Sequence, residues 1–295
     1  MILNPQLGRD CRLGNQLFQQ AAIEGLSLVK GYDIGTPPKL TMGHHGQAAP
    51  LEKFKIDLPP IKNIFDLESY SVYLEKNPMS YDPEFWDIED NTFISGYFQS
   101  INYFRSAQDK IKIEFVPKDE YQEPESVFVD HISSINEDAE VVSIHLRRGD
   151  NTDGSNPSEL LNNMYGKTQE DFWDSFYCKY IKSALDEFSE PEKYHFLIFT
   201  GGNRFTEDNS SDREWCRKVF SEGKFTISDS GDSIKDYCRI RACDHNILSH
   251  VSSFGWWAAY TKIKQGKVVA PYNYHPDILN FSYREGFYPE EWILV

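Results

Sequence analysis

The chain has 295 residues, of which 40% are hydrophobic and 15% aromatic, so it can bury one large core or two ordinary ones and is too apolar to be disordered. Its 30 Lys and Arg residues are outnumbered by 46 Asp and Glu residues, and the formal net charge of −16 excludes nucleic acid or an anionic membrane as a general partner. Any phosphate that the protein binds must therefore meet a local positive pocket.

The residue pattern also bears on location and on metals. No apolar run approaches the roughly 20 residues of a membrane span, and the first residues lack a secretion signal, so we expect a soluble, cytoplasmic protein. The five cysteines form no CxxC pair, which indicates reduced thiols rather than disulfides or a zinc site. Adjacent His44 and His45 do not face one site, so we predict no bound metal.

The chain opens with strand, polar loop and helix. A short apolar start at 1–3 precedes a glycine-containing loop at 8–16. Apolar residues then recur at three- and four-residue spacing over 17–30, which predicts a helix that stops at Gly31. The glycines do not have the GxGxxG spacing of a dinucleotide site.

Polar residues stand in this loop just before the helix. Arg12, Asn15 and Gln16 can face a cleft at the helix N-terminus, or the loop can be a plain structural turn. Further along, 92–100 predicts a strand that runs into a loop, followed by a helix to about Ile113. The aromatic residues there can line a sugar pocket or pack the core.

The most informative strand is followed by two arginines. A helix begins within 117–124, a hinge is expected at 135–139, and the β-branched run 141–144 predicts a buried strand. Arg147 and Arg148 stand at its end, where open α/β sheets bind ligands. Guanidinium groups match phosphate oxygens, although adjacent arginines can also form a surface ion pair.

Strands and helices alternate from here onward. A loop at 151–167 is long enough for a lid, and a helix is predicted at 168–188. A strand at 194–200, a helix at 214–220 and a strand at 224–227 follow.

The pattern continues to the end of the chain. A helix at 232–242, a strand at 244–249, a helix at 254–264 and a strand at 268–270 complete it. Ser252 or Ser253 is a good N-cap for the helix at 254–264, so a phosphate can bind at the positive end of that helix. This alternation predicts a parallel, doubly wound sheet whose strand ends share one edge. No convincing Asp-x-Asp occurs at a strand end, so arginine rather than a metal is expected to neutralise a diphosphate.

Three blocks of the sequence resemble the signature blocks of glycosyltransferase family 11, the α-1,2-fucosyltransferases. They lie at 12–19 (RLGNQLFQ), 145–150 (HLRRGD) and 243–259, and a weaker fourth block lies at 96–100. They occur in the family's order. The resemblance implies a two-lobed GT-B fold with Rossmann-like lobes, in which 1–137 is the acceptor-side lobe and 138–295 the donor lobe.

The resemblance also implies the chemistry. L-fucose is transferred from GDP-fucose, with inversion and without cofactor or metal, to a glycan acceptor, usually at O2 of a terminal β-galactoside. Arg147 would clamp the β-phosphate, with His145 and Arg148 lining the nucleotide site and Asp150 fixing the arginines. Asn15 matches a position close to the reacting centre, so the implied catalytic residues are Arg147, Asn15 and His145. The other donor contacts implied are Arg12, Gly14, Asn203, Asn246, Ser252, Ser253 and Phe254.

The sequence departs from the family pattern at one place, and this departure leaves two alternative functions open. Family members often have an Asp-Asp turn after the strand at 194–200, but this chain has Gly201, Gly202 and Asn203 and an apparent insertion at 204–212. The protein can therefore be a same-fold inverting transferase that uses another nucleotide sugar. A non-catalytic module that binds a glycan or nucleotide is the other alternative. The sequence predicts neither the oligomeric state nor the general base.

Overall fold

The structure, a computed structural model, describes residues 1–5, 7, 11–36, 51–61, 69–78, 80–149, 175–201, 208–220, 223–250, 252–272 and 286–295. The chain forms two compact units, one of Met1–Lys118 with Tyr283–Glu290 and one of Asp119–Ser282 with Glu291–Val295. The expected lid at 151–167, Asp150, Asn203 and the His44–His45 pair lie outside the described residues.

The first unit contains a small parallel sheet. Its strands are β1 (Ile2–Leu3), β2 (Ser71–Leu74) and β3 (Thr92–Ser95), and β3 lies between the other two. Two helices belong to the same unit, α1 (Leu13–Lys30) and α2 (Gln108–Glu114).

Helix α1 begins earlier than predicted. Arg12 has extended backbone and serves as its N-cap, and the Arg12 carbonyl already accepts a hydrogen bond from the Gln16 amide at 3.1 Å. The helix therefore starts at Leu13 rather than at 17 and brings the predicted polar residues into its first turn. It ends where predicted, because Gly31 adopts the left-handed conformation (φ 71°) that suits a residue without Cβ.

The second unit contains a six-stranded parallel sheet, which confirms the predicted α/β class. Its strands are β4 (Glu140–Arg147), β5 (Tyr194–Gly201), β6 (Phe225–Ile227), β7 (His245–Ile247), β8 (Val268–Ala270) and β9 (Ile293–Leu294). Its helices are α3 (Asp119–Ile135), α4 (Phe176–Asp186), α5 (Ser210–Val219), α6 (Ser233–Ala242) and α7 (Ser253–Tyr260). The sequence did not predict β9, because two residues are too few to show a periodic pattern.

The strand order places a switch point beside β4. The order is β6-β5-β4-β7-β8-β9, so the chain moves from β4 outward to β6 and then returns to the other side of β4 at β7. In open parallel sheets the crevice beyond the carboxyl ends of the strands at such a reversal is where ligands bind. The ends of β4 and β7 are therefore where a site is expected.

The helices cover the sheet with apolar side chains. On one face Val142, Ile144 and Leu146 of β4 form a single buried cluster with residues of α4 and α5. On β7 the amide of Asn246 donates to the Ile240 carbonyl of α6 at 2.8 Å. Helix α7 ends at Tyr260 instead of the predicted 264. The Arg241 side chain donates a hydrogen bond to the Thr261 carbonyl, which in a longer helix would accept from the next turn.

Helix α3 belongs to the second unit. Arg239 of α6 donates to Glu125 of α3 at 2.6 Å, and Gln122 donates to the Cys238 carbonyl at 3.3 Å. These buried polar contacts hold α3 against α6. The division between the two compact units consequently falls between Lys118 and Asp119. The predicted assignment of 1–137 to an acceptor-side lobe and 138–295 to a donor lobe stays a prediction.

The predicted helix at 168–188 is described only in part, as α4 over Phe176–Asp186. None of the described helices is long and apolar enough to cross a bilayer.

Candidate functional site

Arg147 is the last residue of β4, at the point where β4 and β7 separate. Their pairing stops at Ile144 and Ile247, and the Arg147 amide donates instead to the Ser249 hydroxyl oxygen at 2.9 Å. The Tyr177 hydroxyl donates to the His145 carbonyl at 2.8 Å and lies 3.2 Å from the same Ser249 oxygen. Side chains from α4 and from the loop after β7 thus hold the end of β4 in place.

The guanidinium of Arg147 lies across the ends of β4 and β5. Its Nη1 donates to the carbonyl oxygen of Arg148 at 3.1 Å and to that of Gly201 at 3.3 Å. The side chain is half-buried, so part of it reaches the surface at the carboxyl edge of the sheet. A fixed, partly exposed cation at this edge is suited to bind an anion.

Arg148 is buried and held on two sides. Its Nε donates to Asp212 Oδ1 at 3.1 Å, and its guanidinium carbon lies 3.6 Å from the centre of the Trp215 ring. Its Nη1 is buried and has no hydrogen-bond partner among the described residues. A buried donor without a partner is costly, so this atom marks a place where a ligand oxygen would be favourable.

The turn after Arg148 is also held by Asp212. The Gly149 amide donates to Asp212 Oδ2 at 3.0 Å, and Gly149 has a positive φ of 50°. Asp212 and Trp215 both lie on α5. Sequence reasoning singled out neither: Asp212 fell in the apparent insertion at 204–212, and Trp215 fell in the helix predicted at 214–220 without an assigned role. An acidic residue in the first turn of a helix that follows a sheet strand was the available signal.

His145 is a buried, neutral imidazole. Burial and the neighbouring Arg147 lower its pKa to about 3. Its ring lies 5.7 Å from the ring of Phe254, and its Nδ1 has no hydrogen-bond partner in the described part of the chain. A cationic form is disfavoured in this position, so His145 can act only as a neutral donor or acceptor near pH 7.

The N-terminus of α7 lies next to His145. Ser252 is the N-cap residue, as predicted, but its side chain accepts no capping hydrogen bond, and Ser253 and Phe254 form the first turn. Gly255 contacts the His145 ring. The N-terminal end of a helix carries partial positive charge and amide donors, which together favour an anionic group.

Asn246 lies inside the sheet rather than at its edge. It is fully buried and donates to the Ser143 hydroxyl at 2.8 Å as well as to α6. Its predicted role as a donor contact stays a prediction. The predicted roles of Asp150 and Asn203 concern residues that the structure does not describe.

The residues predicted in the first half of the chain meet at the start of α1. Arg12 is the N-cap, Gly14 is buried in the first turn, and Asn15 Oδ1 accepts a hydrogen bond from Gln99 Nε2 at 2.8 Å. Gln19 also donates to the Gly96 carbonyl at 2.9 Å. The two sequence blocks at 12–19 and 96–100 therefore form one polar cluster.

The loop after β3 has a constrained backbone. Phe98 is fully buried and has a positive φ of 50°, which is unusual for a bulky residue. The carboxylate of Glu75 accepts hydrogen bonds from the amides of Tyr97 at 2.7 Å and Phe98 at 3.0 Å. Glu75 thus stabilises a turn that Phe98 alone would disfavour, and sequence reasoning had not singled it out.

The structure brings six predicted residues of the second unit to one edge of the large sheet. They are His145, Arg147, Arg148, Ser252, Ser253 and Phe254. It places Arg12, Gly14 and Asn15 together in the first unit. Within the described residues, no group of three His, Cys, Asp or Glu side chains is placed to hold a metal ion.

A parallel α/β sheet with an arginine at a strand end and a helix N-terminus beside it is an arrangement suited to an anion. The sequence model of the family described as glycosyl transferase family 11 matches residues 7–295. The chain belongs to glycosyl transferase family 11, which confirms the family predicted from the sequence blocks. Its class is therefore that of the glycosyltransferases.

Several solved structures match the chain at low sequence identity. A structure of POFUT1 in complex with GDP matches with 10% identity and a TM-score of 0.47, over 90% of this chain and 97% of that chain. The fucosyltransferase NodZ from Bradyrhizobium matches with 13% identity and a TM-score of 0.47, over 87% and 91%. A mutant of Arabidopsis thaliana FUT1 in complex with GDP matches with 11% identity and a TM-score of 0.43, over 95% and 71%. No curated protein matches the sequence.

Proposed function

We propose that the protein is an inverting fucosyltransferase that moves L-fucose from GDP-fucose to a hydroxyl of a glycan, at O2 of a terminal β-galactoside. The proposal includes a two-lobed GT-B fold, with the acceptor bound in the N-terminal part and the donor in the C-terminal part. Family membership and the resemblance of the sequence blocks to the α-1,2-fucosyltransferases support it. The strand order β6-β5-β4-β7-β8-β9, common in doubly wound nucleotide-binding sheets, supports the donor assignment.

The observation that carries the proposal is the convergence of three anion-binding features at the β4–β7 switch point. Arg147 ends β4, the buried Nη1 of Arg148 has no partner among the described residues, and the N-terminus of α7 lies beside His145. All three suit the oxygens of a diphosphate. The overall charge of −16 makes such a local site necessary.

The proposed reaction uses Arg147 at the leaving group. The acceptor hydroxyl oxygen forms a bond to C1 of fucose and releases its proton to the solvent, the bond from C1 to the β-phosphate oxygen breaks, and GDP departs with the electron pair. Negative charge therefore grows on the β-phosphate in the transition state, where a fixed guanidinium stabilises it most. The neutral His145 can donate a hydrogen bond to the same group.

The acceptor is proposed to bind beside the first turn of α1. Asn15 and Gln99 present amide groups there, and Tyr97 is exposed next to them. Amides and an exposed aromatic ring are suited to the hydroxyls and apolar face of a sugar.

Replacement of Arg147 by Ala tests the proposal. The expected result is a loss of transfer from GDP-fucose on the order of a hundredfold or more, with the fold intact by circular dichroism. Replacement of the exposed Lys218, which pairs with Glu214 on α5, by Ala is the control and should leave the rate unchanged. Unchanged transfer in the Arg147→Ala variant would refute the mechanism.

Dialysis against EDTA tests whether a metal is needed. It should leave wild-type activity intact, because arginine supplies the positive charge at the leaving group. A loss of activity that a divalent cation restores would contradict this expectation.

A transferase specific for another nucleotide sugar remains the second candidate, favoured by Gly201, Gly202 and Asn203 in place of an Asp-Asp turn. A screen of GDP- and UDP-sugars with purified protein separates the two. Turnover of another donor, with none of GDP-fucose, would establish this alternative. Binding of GDP without turnover of any donor would instead indicate a non-catalytic module.

A further inference from the structure

The peptide group between Arg148 and Gly149 is held from both ends. Its N–H, on Gly149, donates to Asp212 Oδ2 at 3.0 Å. Its carbonyl, on Arg148, accepts a hydrogen bond from Arg147 Nη1 at 3.1 Å. A trans peptide is planar, and its N–H and C=O point in opposite directions, so a partner that fixes the N–H also fixes where the carbonyl points.

The same carboxylate makes a second contact. Asp212 Oδ1 accepts from Arg148 Nε at 3.1 Å, and the Trp215 ring lies against the other side of that guanidinium. One side chain of α5 therefore binds both the Arg148 side chain and the backbone that follows it. Charge-assisted bonds of this kind are stronger and more directional than those between neutral groups.

The turn needs such support because of its backbone. Gly149 has a positive φ of 50°, which glycine adopts readily, and fixing a glycine costs more conformational entropy than fixing any other residue. A glycine turn without anchors would sample other conformations, and the Arg148 carbonyl would move with it. That carbonyl and the Gly201 carbonyl both accept hydrogen bonds from Nη1 of the Arg147 guanidinium.

We propose that Asp212 is a positioning residue for the donor site: through the Arg148–Gly149 peptide it orients the Arg147 guanidinium, and through Nε it orients Arg148. The inference rests on the proposed function, because it assigns the arginines to the diphosphate of a nucleotide sugar. Asp212 is buried, and both of its carboxylate oxygens accept hydrogen bonds from the Arg148–Gly149 turn. Its effect on activity passes through the arginine turn.

The chain contains a matched control for this pair. Arg239 donates from Nε to Glu125 and lies 3.7 Å from the Phe128 ring centre, which repeats the arrangement of Arg148 with Asp212 and Trp215. The two pairs are equally buried: the side chains of Arg239 and Glu125 are 9% and 8% exposed, and those of Arg148 and Asp212 are 8% and 10% exposed. The control pair joins α3 to α6, and Arg239 also donates to the Ser228 hydroxyl just after β6 at 3.0 Å. Neither bond involves the Arg148–Gly149 peptide, so loss of the pair should lower stability without disturbing the arginine turn.

The first experiment compares Asp212→Asn with Glu125→Gln. Both variants lose a buried carboxylate charge, so both should lower the melting temperature. Only Asp212→Asn should weaken GDP binding, measured by titration calorimetry, on the order of tenfold or more, because misplacing a charged contact by about 1 Å has effects of that size. Equal GDP affinity in wild type and Asp212→Asn would overturn the proposal. A rise in affinity would overturn it as well, since it would show that Asp212 acts only by compensating the charge of Arg148.

A double-mutant cycle tests whether the effect passes through Arg147. In an Arg147→Lys background the planar guanidinium is gone, so Asp212→Asn should weaken GDP binding much less than it does in the wild type. If the two substitutions acted independently, their fold-losses of GDP affinity would multiply in the double variant. That result would contradict the proposed connection between Asp212 and Arg147. If the Asp212→Asn protein does not fold, Asp212→Glu replaces it in both experiments, because its longer side chain keeps the charge but shifts the carboxylate.

Hydrogen exchange separates this inference from the proposed function. If wild-type protein binds no GDP, the proposed donor is wrong, but the Gly149 amide can still be followed. Its exchange should be faster in Asp212→Asn than in wild type and Glu125→Gln. Unchanged exchange at Gly149 would show that Asp212 does not hold the turn, whatever the donor is.

Discussion

Gly255 and His145 are in direct contact across the edge of the large sheet. A Cβ atom on Gly255 would lie 2.6 Å from His145 Nδ1, closer than real Cβ contacts allow. His145 is buried and its carbonyl is held by Tyr177, so the ring has little room to move away. The absence of a side chain at Gly255 is therefore what lets the first turn of α7 approach the imidazole.

The Gly255→Ala variant should lose both stability and donor affinity. Forcing a methyl group into this contact is expected to lower the free energy of unfolding by about 1–3 kcal/mol and to displace α7 from His145. Thermal unfolding and GDP titration measure the two effects. Gly231→Ala is the control: Gly231 has a φ of +64° but open space around it, so the variant should show backbone strain of roughly 1–2 kcal/mol and unchanged GDP affinity. Wild-type GDP affinity in Gly255→Ala would show that this contact is unimportant for the donor site.

The neutral state of His145 should make the fold sensitive to acid. Its folded pKa, about 3, lies below the unfolded value of 6.5, so the unfolded chain binds the extra proton between these values. The stability that this residue contributes is complete above pH 6.5 and is lost as the pH falls toward 3. Urea unfolding should show this loss in wild type, and the slope should be shallower in His145→Asn by about 1.4 kcal/mol per pH unit. Parallel pH profiles for the two proteins would contradict the assignment of a neutral, buried imidazole.

Ser249 should be important for activity through the Arg147 backbone. Replacing it by Ala leaves the Arg147 amide without the hydroxyl oxygen that it now bonds, which is expected to cost about 1–3 kcal/mol and to lower donor affinity roughly tenfold. Ser143→Ala is the matched control, because Ser143 is a fully buried serine of the same sheet whose hydroxyl bonds Asn246 in the sheet interior and not the Arg147 backbone. The control should lose stability with little change in GDP binding. Similar GDP affinities in both variants would mean that Ser249 has only a structural role.

Replacement of Glu75 should weaken binding of the acceptor rather than binding of the donor. In Glu75→Gln an NH₂ group faces one of the two amides that the carboxylate now binds, so the turn at Phe98 should lose its conformation. We expect a several-fold rise in the KM for a β-galactoside acceptor and unchanged GDP affinity, because the change is confined to the proposed acceptor side. Glu84→Gln, which alters an exposed ion pair with Lys76, should leave both values unchanged. A change in donor affinity without a change in acceptor KM would contradict the acceptor assignment.

The sequence by itself determined strands β4 to β8 of the second unit, the polar residues just before the predicted α1 and the arginines at the end of β4. These features are local: alternating β-branched residues, a 3.6-residue period and a basic pair after an apolar run are all visible within a dozen residues. The same local blocks determined the family. The two-residue strand β9 and the first turn of α1 were not predicted, because the conformation of such short segments depends on their neighbours more than on their own residue pattern.

Only the tertiary structure decided how the arginines are held. Asp212 is 63 residues from Gly149 in the chain, and Ser249 is 102 residues from Arg147, so no spacing rule connects them. The same is true of Glu75 and Phe98, and of Gly255 and His145. Parallel strands are joined by long crossovers, so the groups that meet at their carboxyl ends come from distant segments, and their hydrogen bonds are set by packing rather than by local sequence.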